Sequence, residues 1–110
     1  MSEVCRIDLE RRAEIPAKLK AFADGVRTRY RTERIILFGS AARDELHEAS
    51  DIDVAVIADF PESYFERLIA IRRLTDLPIE PWAYTPAEFA EMVRAGSSFA
   101  QEILTSGRDL

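Results

Sequence analysis

The sequence predicts one α/β domain, residues 1–110, built on a small sheet of about three strands packed against helices. Segments with helical apolar spacing alternate with short runs rich in strand-forming residues, the pattern of a sheet covered by helices. Turn and cap residues fall at the junctions between them. At 110 residues there is room for one modest core and no second lobe.

Ile15, Leu19, Phe22, Val26 and Tyr30 recur at helical spacing and predict a helix from about Pro16 to Tyr30. A separate short helix is expected around Leu9 to Glu14, because proline is best tolerated in a first turn. "RIILF", residues 34–38, reads as a strand ended by Gly39. Ser40 to Leu46 suits a short helix with Ser40 as N-cap. "DIDVAVIA", residues 51–58, is the second strand. Ser63 and Glu66 make a capping-box pattern before a helix to about Thr75. "PIEPWAY", residues 78–84, is the third strand, and Pro81 assigns it to an edge or a bulge. Thr85-Pro86-Ala87-Glu88 opens a helix to about Ala95 with Gly96 as C-cap, and Ser98 with Gln101 marks a last helix to about Thr105.

Composition narrows the function classes. Hydrophobic residues at 47% and charged residues at 32% describe an ordinary globular chain, with no run near the roughly 20 apolar residues of a membrane span. The start, "MSEVCRIDLERR", lacks a signal-peptide layout, and the single cysteine, Cys5, cannot form an internal disulfide, so a cytoplasmic location is expected. Residues 1–34 carry a net +3, while residues 35–110, which hold the chemistry, carry a net −8. That balance argues against unaided nucleic-acid binding and for a cation-binding centre or a basic protein partner.

The chemistry concentrates in residues 37–57, "LFGSAARDELHEASDIDVAVI". Strand alternation turns Asp51 and Asp53 to the same side, an arrangement that costs repulsion unless a cation offsets it. Carboxylates so placed suit hard cations such as Mg²⁺, and a pair of them can bridge two ions. Gly39 and Ser40 supply the complementary half, a turn whose backbone can approach a phosphate ahead of a helix N-terminus. Arg43 falls on the same helical face and can reach the phosphates. Each piece alone has a plainer reading, Gly-Ser as a turn and cap and Asp-Ile-Asp as a strand end solvated at a loop. His47 reads as an exposed loop histidine, Cys5 as an inert thiol, and Trp82 and Tyr84 as packing residues more than base-stacking ones.

Taken together, Gly39-Ser40, ten residues, then Asp51-Ile52-Asp53 between two apolar strands resembles the minimal nucleotidyltransferases of the DNA polymerase β superfamily. The resemblance spans about residues 34–105. It implies a mixed sheet, ATP with two Mg²⁺ ions, and transfer of AMP with loss of pyrophosphate. Many short members of the family this chain resembles are antitoxins paired with a HEPN-type toxin, and some of these antitoxins attach AMP to a toxin tyrosine. The resemblance also implies a third carboxylate on the third strand, for which Glu80 is the candidate, although by itself Glu80 reads as a solvated edge charge. Members often carry Gly-Ser-Arg-Ala-Arg-Gly, whereas here Ala41 and Asp44 stand at two of those positions and Arg43 is kept. The expected activity is therefore AMP transfer from ATP to a hydroxyl of a partner protein, with the partner completing the acceptor site in a hetero- or homo-oligomer. The alternatives are a binding module that neutralises its toxin by occlusion, and a transferase acting on an antibiotic.

Overall fold

The computed structural model describes residues 9–39 and 52–110. The element order is α1 (Leu9–Arg29), β1 (Thr32–Phe38), β2 (Ile52–Ala58), α2 (Tyr64–Arg72), β3 (Ile79–Tyr84), α3 (Pro86–Arg94), α4 (Ser98–Ser106) and β4 (Arg108–Asp109). The α/β expectation holds. The predicted helix at Ser40 to Leu46 lies outside the described residues.

Helix α1 is one continuous element with Pro16 inside it, not two helices meeting there. Pro16 is exposed, so water can serve the carbonyl left without its donor, and the buried stripe of Ile15, Leu19, Phe22, Val26 and Tyr30 carries the helix through. Helix α2 begins after Ser63, whose N–H donates to Glu66 Oε1 at 3.2 Å. Helix α3 has the full reciprocal cap: Glu88 N–H donates to Thr85 Oγ1 (3.2 Å) and Thr85 N–H to Glu88 Oε1 (2.9 Å). It closes on Gly96 at φ +79°, where Gly96 N–H reaches Val93 O and Ser97 N–H reaches Met92 O. That pair of bonds is the Schellman arrangement. The cap of α4 is Ser97, one residue earlier than the sequence suggested, with its hydroxyl accepting from Ala100 N–H.

Among the described residues the sheet has four strands in the order β3-β2-β1-β4, one more than expected. Strand β1 runs antiparallel to β2 and β4, and β2 runs parallel to β3. Strand β4 is two polar residues long, so it has no apolar pattern to announce it. Tertiary pairing makes it a strand: Asp109 lies opposite Ile36, Arg34 forks onto both Asp109 carboxylate oxygens at 3.1 Å, and Leu110 N–H donates to Ile35 O. Strand β3 with Pro81 takes the other edge, as proline requires.

Alternating residues send the sheet's two faces into separate apolar layers. Ile35, Leu37, Ile52, Val54 and Val56 meet Phe22 and Val26 of α1 and Ile71 of α2. Ile36, Phe38, Ala55 and Ile57 meet Phe89 of α3 and Ala100 and Ile103 of α4. Apolar burial on both faces is why β2 reads as a continuous apolar run after Asp53. At the C-terminal ends of β2 and β3, the buried Arg67 of α2 donates to Glu62 O, Ala83 O and the Glu88 carboxylate, which ties α2, β3 and the start of α3 together.

Candidate active site

Strand register decides which of the expected residues meet. Phe38 is the antiparallel partner of Asp53, and Asp53 is the parallel partner of Glu80, so the three lie in one row across β1, β2 and β3. Gly39 follows Phe38 at the end of β1. A Cβ built on it would stand 2.5 Å from Asp53 Oδ2, well inside van der Waals contact, and its φ is +71°. Glycine is therefore required there twice over, by the left-handed backbone and by the carboxylate pressed against it. The glycine and an aspartate fourteen residues further along the chain are in direct contact across a strand pair.

Asp53 is partly buried, on the sheet face that carries Ala55 and Ile57. Just beyond it the apolar layer closes: Phe99 of α4 stacks edge-on against Phe38 at 5.6 Å and tilts over Trp82 at 4.7 Å between ring centres. Glu80 is half-exposed, and its Oε1 lies 3.9 Å from Arg72 Nη2, at the last residue of α2. Sequence reasoning missed Arg72, for a reason: a basic residue in the last turn of a helix is what the helix dipole favours anywhere.

Trp82 and Tyr84 do share Glu80's side of β3, and both are drawn into the layer beneath α3 and α4. Tyr84 lies 6.0 Å from Tyr64 and 6.3 Å from Phe89 between ring centres, and burial pushes its phenol up to about 12. These contacts fit the packing role expected of both aromatics.

Asp53 and Glu80 are carboxylates on neighbouring strands, oxygen donors of the kind a hard divalent ion takes. Among the described residues no three His, Cys, Asp or Glu side chains converge on one point. Asp51, Ser40 and Arg43, the remaining expected site residues, lie outside the described residues, as do Ala41, Asp44, His47 and Cys5.

A family model described as the nucleotidyltransferase domain matches residues 19–107, which include the whole sheet except β4. The chain belongs to this family. It is 40% identical over 48 residues to a protein of Methanocaldococcus jannaschii named "Putative protein adenylyltransferase", a match covering 42% of this chain and 48% of that protein. The chain thus spans about half the length of that curated relative. The fold is similar to the crystal structure of a "putative nucleotidyltransferase" from Sulfolobus solfataricus, with a TM-score of 0.55 at 15% identity over 86% of this chain and 83% of the other. Membership makes nucleotidyl transfer the activity class of the domain. Among the described residues no helix is long and apolar enough to cross a membrane.

Proposed function

We propose that this nucleotidyltransferase moves AMP from ATP to a hydroxyl, most simply a tyrosine, on a partner protein. The carrying observation is the row formed by Asp53 and Glu80 with Gly39 pressed against the first of them. In this reading Gly39, Ser40 and Arg43 take the phosphates, and Asp51, Asp53 and Glu80 gather two Mg²⁺ ions. Magnesium held there would neutralise charge on the phosphates and ease deprotonation of the attacking hydroxyl.

The reaction is an in-line exchange at the α-phosphorus. The acceptor oxygen forms a bond to that phosphorus, and the bond to the oxygen bridging the β-phosphate breaks. Pyrophosphate leaves with that electron pair. The hydroxyl proton passes to Glu80, the carboxylate at the open edge of the sheet. A tyrosine hydroxyl ordinarily titrates near 10, so a nearby carboxylate is needed at neutral pH.

A protein acceptor is supported by the name of the archaeal relative. The proposed biological role is that of an antitoxin acting on a HEPN-type toxin, the partner implied by the resemblance of the Gly-Ser and Asp-x-Asp motif. The test is incubation with the product of the neighbouring reading frame, Mg²⁺ and ATP labelled at the α-phosphate. Label should enter the partner, and Asp53→Asn should lower the rate by at least about a hundredfold, since metal-borne charge stabilisation is worth several kcal/mol. Equal labelling by wild type and Asp53→Asn contradicts the mechanism. Absence of label with full protection of cells by both proteins would favour occlusion, and drug-dependent pyrophosphate release without the partner would favour an antibiotic as acceptor.

A further inference from the structure

Glu80 is paired in register with Asp53, and its carboxylate lies beside a guanidinium contributed by another element, 3.9 Å from Arg72 Nη2. Both partners are about half-exposed, 53% for Arg72 and 41% for Glu80. An ion pair this long and this wet is weak, so Glu80 can leave it at small cost.

We infer that Arg72 is a positioning residue that holds Glu80 while the divalent site is empty and yields it when a cation binds. The inference rests on Glu80 being a metal ligand, as proposed above. The physical logic is competition for one carboxylate. Arg72 offers the Glu80 carboxylate one counter-charge from α2, and a divalent ion bound by Glu80 would offer another. The carboxylate cannot satisfy both fully, so the arginine sets the metal concentration at which the site fills. The neighbouring Arg73 carries the same charge but lines a different cavity, of about 320 Å³, with Arg29, Glu62 and Ile69, which makes it a matched control.

The test is titration of the nucleotide-free chain with Mn²⁺, followed by calorimetry and by quenching of Trp82. That residue is the only tryptophan and stands two positions past Glu80 on the same strand. Arg72→Met should tighten Mn²⁺ binding about twofold to fivefold, the worth of an exposed ion pair. Arg73→Met should leave it unchanged. In a Glu80→Gln background, whose own affinity is weakened, Arg72→Met should no longer matter. The metal concentration that half-saturates AMP transfer should fall by the same factor in Arg72→Met. Unchanged or weaker binding in Arg72→Met overturns the inference, as does tightening that persists with Glu80→Gln, which would be long-range repulsion alone. If wild type binds Mn²⁺ normally and only these differences fail, the site reading stands without the inference. No Mn²⁺ binding by the wild type defeats both.

Discussion

Gly39 is singled out by the motif and constrained by the backbone geometry. The motif marked it as the residue that lets backbone approach a phosphate, and the structure adds a second constraint, the Asp53 carboxylate 2.5 Å from where a Cβ would be. Gly39→Ala should destabilise the fold by about 1–2 kcal/mol through the left-handed backbone alone, read by urea denaturation. It should also push the Asp53 carboxylate aside and weaken Mn²⁺ binding about tenfold. Loss of stability with unaltered metal binding would mean that the contact is only structural. Asp53 is a candidate from alternation and the motif, and Glu80 from the resemblance alone; their adjacency required the strand register, which a single sequence does not encode locally. Arg72 was invisible because its meaning depends on a partner on another element.

At the scale of elements, caps and periodicity carried most of the reading. Thr85, Pro86 and Glu88 predicted the start of α3 to the residue because the signal is chemical and local. The same Glu88 carries a longer-range interaction that no local rule announces. The hydrogen bond from buried Arg67, then that from the Thr85 N–H, holds its carboxyl below the usual range. A lowered carboxylate pKa contributes stability that is present above its unfolded value of about 4.5 and is lost as pH falls through the lower folded value. Urea midpoints should therefore drop on acidification below about pH 4.5 more steeply in wild type than in Glu88→Gln. Identical acid limbs would contradict a stabilising Arg67–Glu88 bond. Pro16 and β4 are the elements misread. The buried stripe of α1 outweighed the missing hydrogen bond at Pro16. Strand β4 has no side-chain pattern of its own and owes its state to the edge of β1.

The described residues form a mixed sheet between two helical layers, with Asp53 and Glu80 near one end of the strands. Apolar residues fill both faces of β1 and β2 as far as the row of Phe38, Asp53 and Glu80. A carboxylate set beside such packing needs hydrogen bonds or a counter-charge. The predicted α/β class and the family membership agree with this architecture, and the acidic balance of residues 35–110 fits a cation-dependent centre. In the proposed reading acceptor recognition belongs to a surface shared by two chains, which a single sequence can only suggest.

Anomalous X-ray scattering from crystals grown with Mn²⁺ and a non-hydrolysable ATP analogue is the most direct measurement. The account predicts a manganese peak about 2.0–2.3 Å from an Asp53 oxygen, with the triphosphate lying along Gly39. Manganese found only elsewhere, or a triphosphate seated away from the Gly39–Asp53 contact, would contradict it.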